Sequence, residues 1–321
     1  MMHMTRRVAI AVAFLVSSGV SAWAQDLEKV VVAIGQGGKF DASITELGVK
    51  KGLFKEHGLD VDILYTEGGG ETQQIVISGS ADLGIAVGTQ GVMGAFSKGA
   101  PIRIIGSAAN GDDAYYYVKA DSPIKAMSDA KGNTLAYSRN GSSTHTFALG
   151  FKNLLGADVE LVATGGPPAT LTAVMSNQVD IGWSAPPFGL EQIQKGQIRR
   201  IATSRDLPSV KDHTVRLIIT NLQTLEKRPE MVKKFMDAYR ASIEWLYSGD
   251  EGLQAYAEMA KIDLETARMV RDEFDTRDYV DPDVMLGVGD LMKEAIEFKY
   301  MDKALTKEQL DELIMIDGWK M

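Results

Sequence analysis

Short apolar runs, each ended by glycine, proline or polar residues, recur along the first two thirds of the chain. Runs rich in valine and isoleucine are typical of buried strands, and the stretches between several of them repeat apolar positions with the period of a helix. We predict strands over residues 30–34, 60–65, 83–87, 102–106, 115–118, 134–138, 159–163, 181–184, 199–202 and 215–220. Strands that alternate with helices indicate an α/β fold with parallel sheet.

Other segments have the pattern of helices. From about residue 226 apolar side chains recur at spacings of three and four, at Val232, Phe235, Met236, Tyr239, Ile243 and Leu246. This spacing places them on one helix face, and Pro229 suits the first turn of that helix. Earlier in the chain, Ser43 and Glu46 have the spacing of a capping box, which predicts a helix from residue 43 to about residue 57.

Residues 58–84 and 156–182 have similar sequences at a separation of 98 residues. Without a gap, 10 of the 27 positions are identical: Gly58/Gly156, Asp60/Asp158, Val61/Val159, Thr66/Thr164, Gly68/Gly166, Thr72/Thr170, Val76/Val174, Ser78/Ser176, Asp82/Asp180 and Gly84/Gly182. The period is much longer than the roughly 20–50 residues of solenoid repeats. The chain therefore contains two copies of one α/β unit, each the size of a domain.

The repeat predicts two α/β lobes that face each other across a cleft. The polar stretches 107–114 and 203–214 are the candidate crossovers, so we assign residues 25–110 and 210–321 to lobe 1 and residues 111–209 to lobe 2. Ligands of open α/β sheets bind beyond the carboxyl ends of the strands. The loops that follow the strands of both copies are therefore the candidate site.

The first 24 residues have the features of a cleaved export signal. Arg6 and Arg7 precede an apolar run over residues 8–16, and small residues lead to Ala22-Trp23-Ala24, a signal-peptidase pattern. The apolar run is shorter than the roughly twenty residues of a membrane-spanning helix. The chain has no cysteine, which excludes disulfides, thiolate metal sites and a lipid-anchored cysteine. We expect a protein released into the periplasm.

Charge and histidine spacing argue against several functions. The formal net charge is −9, which disfavours nucleic-acid binding because that binding depends on basic residues that neutralise phosphates. His3, His57, His145 and His213 show no zinc-site spacing. Residues 182–186 lack the last glycine of a nucleophile elbow. We therefore expect no enzyme, no metal site and no cofactor.

Candidate ligand-binding residues lie at or after the predicted strand ends. They are Gly37, Lys39, Phe40, Gly69, Gly70, Thr89, Gln90, Tyr115, Arg139, Ser142, Ser143, Thr144, Trp183 and Ser184. Lys39 is a candidate charge partner and Phe40 a candidate wall of the cleft. For the loop at residues 68–70, close backbone approach and a flexible turn are alternatives, and for Trp183 a cleft wall and core packing are alternatives.

The segment from Ser142 to Thr144 is the most specific candidate for an anion site. A strand is predicted to end at Ser138, Gly141 permits a tight turn, and hydroxyl residues begin a helix. Backbone N–H groups and the helix dipole at such a point favour an anion, and Arg139 can add a charged hydrogen bond. The alternative is an ordinary helix cap with Arg139 in solvent.

The chain contains GLFKEHGLDV at residues 52–61, GGG at 68–70, SGSADLG at 78–84, SSTH at 142–145 and VDIGW at 179–183. These segments resemble the solute-binding proteins of nitrate/sulfonate/taurine-type ABC transporters, the SsuA/THI5-like group of the NMT1 family. The resemblance implies a type II periplasmic-binding-protein fold with a ligand cleft between two lobes that close by hinge motion. It also implies a monomer that captures a small organic anion, sulfonate- or carboxylate-like, and delivers it to an inner-membrane permease.

One departure from the family concerns the ligand. Many members have Trp-Glu-Pro where this chain has Trp183-Ser184-Ala185-Pro186-Pro187. The missing carboxylate argues against an amine-bearing ligand such as taurine. Two other functions stay open, namely the ligand-binding subunit of a sensor and an enzyme similar to the thiamine-pyrimidine synthases.

Overall fold

The computed structural model describes residues 27–207, 210 and 213–317, so the expected export signal lies outside the described residues. Strands occur at the ten predicted positions. They are β1 (Glu28–Gly35), β2 (Leu59–Thr66), β3 (Leu83–Gly88), β4 (Ile102–Asn110), β5 (Tyr115–Lys119), β6 (Asn133–Tyr137), β7 (Val159–Ala163), β8 (Gly182–Ser184), β9 (Ile198–Thr203) and β10 (Thr214–Asn221). The predicted α/β class is confirmed.

Helices follow most of the strands and fill the last third of the described chain. They are α1 (Phe40–Lys51), α2 (Leu53–Glu56), α3 (Gly69–Ile77), α4 (Thr89–Ser97), α5 (Ser143–Asn153), α6 (Pro167–Met175), α7 (Leu190–Gln194), α8 (Leu222–Lys227), α9 (Pro229–Tyr247), α10 (Asp250–Ala260), α11 (Leu264–Met269), α12 (Val288–Glu297) and α13 (Lys307–Leu313). Within the described chain, none of these helices has both the length and the apolar character that a bilayer crossing needs.

The first sheet has the strand order β2-β1-β3-β10-β4. β1 is parallel to β2 and to β3, whereas β10 runs antiparallel to β3 and β4. The predicted return of residues 215–220 to this sheet is confirmed, because β10 lies between two strands that precede it by about a hundred residues.

The second copy builds a sheet of the same design. β8, β5 and β9 pair in that order, and β6 pairs with β7. The two parts meet where Leu135 and Ile181 form a parallel bridge and the Ala136 N–H donates to the Ile181 carbonyl oxygen at 2.8 Å. The resulting order, β7-β6-β8-β5-β9, matches the first sheet, and β5 takes the antiparallel place of β10.

Hydrogen bonds at equivalent positions confirm that the sequence repeat is a structural repeat. The hydroxyls of Thr66 and Thr72 lie 2.7 Å apart, and those of Thr164 and Thr170 lie 2.7 Å apart as well. In the first copy, Asp82 accepts a hydrogen bond from the backbone N–H of Val31 at 2.9 Å, and in the second Asp180 accepts one from Thr134 at 2.8 Å. Each aspartate thus ties the loop before one strand to its neighbour.

The predicted capping box at Ser43 is wrong. α1 already begins at Phe40, with Lys39 as its N-cap, and Ser43 lies inside the first turn. The Ser43 hydroxyl donates to the carbonyl oxygen of Lys39 at 2.6 Å. The helix therefore starts directly beside the loop after β1, and it ends at Gly52, whose φ of +94° suits glycine.

The C-terminal helices pack against the first sheet and its helices. Phe235 on α9 contacts Phe54 at a ring-centroid distance of 5.1 Å, and both are buried. Ile314 forms a bridge with Ile104 of β4. The crossovers between the sheets are short: β4 ends at Asn110 and β5 begins at Tyr115, and β9 ends at Thr203 and β10 begins at Thr214.

Candidate ligand-binding cleft

Loops from the two copies touch across the cleft. A Cβ atom on Gly70 would lie 1.8 Å from the carbonyl oxygen of Asn140, and one on Gly88 would lie 2.7 Å from the backbone nitrogen of Ser143. Gly69 instead packs against its own sheet. Positions 70 and 88 therefore accept only glycine without a shift of the facing backbone.

A cavity of about 600 Å³ lies between other loops of the two copies. Among the described residues it is lined by Gln36, Gly37, Gly38, Glu46, Tyr65, Thr66 and Glu67 from one copy, Gly166, Pro167, Pro168, Ala169 and Phe188 from the other, and Met259 and Ala260 of α10. Of these, two carry carboxylates and none is lysine or arginine. A second cavity of about 450 Å³ adjoins it at Pro167, Pro168 and Phe188.

Two candidate residues line these cavities. Gly37 lines the larger one, where its backbone packs against the ring of Tyr65. Ser184 lines the smaller one, and its hydroxyl donates to the Phe188 carbonyl oxygen at 3.0 Å. The Tyr115 hydroxyl donates to the same carbonyl oxygen, so it fixes the loop that carries the Phe188 ring.

Phe40 and Trp183 are core residues. Phe40 is wholly buried and packs edge-on against Tyr256 at 4.8 Å and Tyr247 at 5.9 Å. Trp183 is 1% exposed and belongs to the same core cluster. The expected cleft walls are therefore provided by other aromatic side chains, Tyr65 and Phe188.

Thr89 and Gln90 stand at the start of α4, as their place after β3 predicts, but they are hydrogen-bonded within the fold. The Thr89 hydroxyl donates to the carbonyl oxygen of Thr214 at 2.6 Å. The Gln90 amide donates to Glu294 at 3.0 Å. Both side chains are buried, and they connect α4 to β10 and α12.

The predicted anion segment forms a buried set of hydroxyls. Ser142 is the N-cap of α5, and its hydroxyl accepts from the His145 N–H at 3.2 Å. The Ser138 hydroxyl lies 2.9 Å from that of Ser142 and 2.8 Å from that of Thr144. The helix cap is therefore present, and the hydroxyls of Ser138, Ser142 and Thr144 are hydrogen-bonded to one another.

Arg139 and Ser143 flank this set. Arg139 is half-buried, and its guanidinium donates to the carbonyl oxygen of Ser138 at 3.3 Å. Ser143 is 7% exposed and begins α5 against Gly88 of the first copy. The start of α5 thus lies at the contact between the two copies, as the repeat predicts.

Lys39 is buried in a cluster of charges beneath the cleft. Its ammonium lies 2.5 Å from Asp113 and 3.7 Å from Asp41, and it donates to the Tyr279 hydroxyl at 3.3 Å. Burial and the charge of Arg216 lower the pKa of Lys39, but the nearby carboxylates outweigh them and the pKa is raised. Lys39 is therefore a structural cation whose charge is already balanced.

Arg216 of β10 is the second cation of this cluster. Its guanidinium lies 3.1 Å from Asp112, 3.3 Å from Asp41 and 3.7 Å from Asp113, and it donates to the Tyr279 hydroxyl. Asp112 belongs to the first crossover and also accepts from the Ser204 hydroxyl of the second at 3.0 Å. The cluster therefore joins both crossovers to the first sheet.

Asp275 adds a fourth carboxylate to a cluster that has two cations, Lys39 and Arg216. It is wholly buried, and within the described chain neither of its carboxyl oxygens has a hydrogen-bond partner. Burial raises its pKa well above the ordinary value, and the charge of Asp113 raises it further. Burial raises the pKa of Asp113 as well.

Sequence reasoning missed a contact between His145 and Tyr300. The Tyr300 hydroxyl and His145 Nδ1 are 2.7 Å apart, and the His145 ring lies over Tyr137 at a centroid distance of 4.6 Å. Burial lowers the pKa of His145 to about 4. The contact joins α5 of the second copy to the segment after α12, and no spacing in the sequence indicates it.

Glu67 is a second residue that sequence reasoning missed. Its carboxylate accepts from the backbone N–H of Gly166 at 3.3 Å, across the cleft. Glu67 is the position equivalent to Gly165 in the repeat, but its partner is a backbone N–H, so no residue type in the sequence indicates the contact.

A family profile described as NMT1/THI5 like matches residues 44–251. The chain belongs to the NMT1/THI5-like family. A binding protein of Brucella abortus strain 2308 is 27% identical to this family member over 232 residues, 70% of each chain. The predicted family is thereby confirmed.

Solved structures share the fold of this NMT1/THI5-like protein. The alkanesulfonate-binding protein SsuA of Xanthomonas axonopodis pv. citri, bound to MOPS, superposes with a TM-score of 0.72 at 15% identity and covers 89% of this chain and 97% of its own. The periplasmic nitrate-binding protein NrtA of Synechocystis PCC 6803 gives 0.68 at 15% identity, with 91% and 87% covered. The NMT1/THI5-like chain therefore has the periplasmic-binding-protein fold.

Proposed function

We propose that this protein is the solute-binding receptor of an ABC-type uptake system and that it captures a small organic anion, sulfonate- or carboxylate-like. The observation that carries the proposal is the cavity of about 600 Å³ between the two copies, lined by strand-end loops of both. A ligand in this cavity is enclosed when loops of both copies contact it, and a cleft of this kind is typical of small-molecule binding sites.

One helix start beside the cleft supports an anionic ligand. α1 begins at Phe40, directly after the cavity-lining loop at residues 36–38, and its N-cap Lys39 forms no side-chain cap. Free N–H groups at helix starts favour a negative group. The printed names of SsuA and NrtA, which bind alkanesulfonate and nitrate, agree with this ligand class.

We further propose that the two sheets are the cores of two lobes that close on the ligand. The first lobe comprises residues 27–110 and 214–317 of the described chain, and the second comprises the residues between the crossovers. The described residues 111–114 and 204–207 of the two crossovers act as the hinge. Domain closure around a ligand requires only a few residues at such crossovers to change their backbone angles.

The closed receptor would deliver its ligand to an inner-membrane permease from the periplasm, as a monomer. A receptor that instead reports to a sensor would bind the same ligand, so binding alone does not separate these two roles. Restored uptake of the ligand by cells that carry the chain together with its permease distinguishes transport from sensing.

The test of the proposed function is a binding screen with recovery of the ligand. The purified protein is heated with a panel of sulfonates, carboxylates and nitrate, and ligands that raise the melting temperature are titrated by calorimetry. A ligand at 100 times its Kd adds about 2.7 kcal/mol of apparent stability. Mass spectrometry should then recover the ligand unchanged. Conversion of the ligand would support a synthase-like enzyme and contradict the receptor.

A further inference from the structure

Glu67 reaches across the cleft to the start of α6. Its Oε2 atom accepts a hydrogen bond from the Gly166 N–H at 3.3 Å. A Cβ atom on Gly165 would lie 2.7 Å from the same oxygen, and Gly165 has a φ of +82°. The backbone at residues 165–166 therefore fits the carboxylate both by its conformation and by its lack of side chains.

The start of α6 has few N–H groups to offer. Its N-cap Gly166 has no side-chain cap, and Pro167 and Pro168 follow. Proline has no N–H, so two of the four N–H groups that are free at a helix start are missing. A carboxylate at this place is stabilised by the helix dipole. Glu67 therefore occupies a position that an anionic ligand group would otherwise take.

The repeat makes this carboxylate an asymmetric feature. Glu67 and Gly165 are equivalent positions, 98 residues apart, and the neighbouring Thr66 and Thr164 make the same hydroxyl contacts. The two equivalent loops thus meet across the cleft, and only one of them carries a charge. The charge is not part of the shared design of the two copies.

A second carboxylate lines the same cavity. Glu46 accepts from Lys50 at 2.7 Å and from the Tyr65 hydroxyl. Glu46 is therefore neutralised by a neighbour on its own helix, whereas the charge of Glu67 faces the cleft and the Gly166 N–H. A ligand in this cavity would therefore experience negative charge mainly from Glu67.

We propose that Glu67 closes the cleft at α6 and sets its charge preference, a proposal that rests on the proposed function. A purely anionic ligand meets a like charge at this end of the cavity. A ligand that also carries an ammonium or N–H group gains a hydrogen-bond acceptor there.

The first test compares ethanesulfonate with 2-aminoethanesulfonate by calorimetry. Glu67→Gln keeps the size and an acceptor oxygen but removes the charge. Asp62→Asn is the control because Asp62 is exposed on β2, the strand directly before Glu67, and lies outside the cavity. We expect the native protein to bind 2-aminoethanesulfonate more tightly than ethanesulfonate. The ratio of these two affinities should fall roughly fivefold in Glu67→Gln and should be unchanged in Asp62→Asn. An unchanged ratio in Glu67→Gln overturns the proposal.

The second test needs no ligand. Glu67→Ala removes the hydrogen bond across the cleft, so the unliganded variant should have a larger radius of gyration by small-angle scattering than the native protein and Asp62→Asn. If the native protein binds neither sulfonate, the sulfonate part of the proposed ligand class fails and this measurement alone decides the role of Glu67. A radius equal to that of the native protein then overturns the proposal, provided that circular dichroism shows a folded variant.

Discussion

The ammonium nitrogen of Lys39 lies 2.5 Å from a carboxylate oxygen of Asp113, and both side chains are almost wholly buried. This ion pair joins the N-cap of α1, next to the cleft, to the first crossover between the sheets. Arg216 contacts the same aspartate at 3.7 Å. The loop after β1 and the proposed hinge are therefore held by one set of charges.

Lys39→Met should be strongly destabilising. Removing one partner of a buried ion pair typically costs about 3–5 kcal/mol, because the other charge stays buried without compensation. We expect a loss of this size in the free energy of unfolding, measured by urea titration. The double variant Lys39→Met/Asp113→Asn should recover part of it. A loss below about 1 kcal/mol in the single variant would mean that the pair is not buried in solution.

Asp275→Asn should stabilise the protein at neutral pH. Burial raises the pKa of the Asp275 carboxyl in the native protein. At pH values above the ordinary carboxyl pKa, the native protein therefore keeps the Asp275 proton, whereas the unfolded chain releases it. Stability therefore falls as pH rises from about 4 through the raised pKa. In Asp275→Asn this fall should be smaller, in melting curves from pH 4 to pH 8. Asp302→Asn, at an exposed position, should follow the native profile, and an Asp275→Asn profile that does so too would contradict the prediction.

His145→Gln should change the pH dependence of stability in the opposite direction. The pKa of His145 is lowered to about 4 by burial, below the ordinary value near 6.5. The unfolded chain therefore binds a proton between these pH values that the native protein does not, and stability falls as pH drops through this window. His145→Gln should flatten that fall. His57→Gln is the control, and equal slopes for both variants would argue against the assignment.

The anion site at the start of α5 stays a proposal with a direct test. Ser142→Ala removes the N-cap hydroxyl of α5 and should cost about 1 kcal/mol of stability. If Ser142, Ser143 and Thr144 hold the ligand's negative group, each alanine variant should weaken binding by about tenfold or more, since hydrogen bonds to charged groups contribute roughly 1.5–3 kcal/mol. Native affinity in all three variants, by calorimetry, would leave Ser142 as a cap only.

Ligand binding should reduce the radius of gyration below the value that the contact between Glu67 and Gly166 maintains without ligand. Two bodies joined by short crossovers become more compact when they close on a ligand, and small-angle scattering measures the change. The experiment uses the ligand found in the binding screen at saturation. An unchanged scattering curve would contradict closure on the ligand and favour a cleft that is already closed without it.

Much of the fold could be predicted because it depends on local patterns. The apolar runs marked the ten strands, and the repeat indicated that both sheets share one design, as the paired threonine contacts at Thr66 and Thr164 confirm. The capping box at Ser43 failed although its spacing was correct. A serine that bonds back to the preceding turn looks the same in sequence as one that caps the helix.

The chemistry of the cleft could be predicted only in part. Its position follows from the strand ends, and Gly37 and Ser184 do line the cavities. The charge cluster could not be foreseen, because Lys39 and Tyr279 are 240 residues apart. Glu67 was missed because its partner is a backbone N–H, and backbone partners leave no residue type in the sequence to recognise.

The place of β10 has a consequence for the order in which the chain folds. The second sheet uses only the contiguous strands β5 to β9, whereas the first needs β10 between β3 and β4. As the chain enters the periplasm with its N-terminal part first, the second sheet can form while β3 and β4 still lack their common partner. Unpaired strand edges attract other chains, so the interval before residues 214–221 appear is the stage at which this protein is most exposed to aggregation.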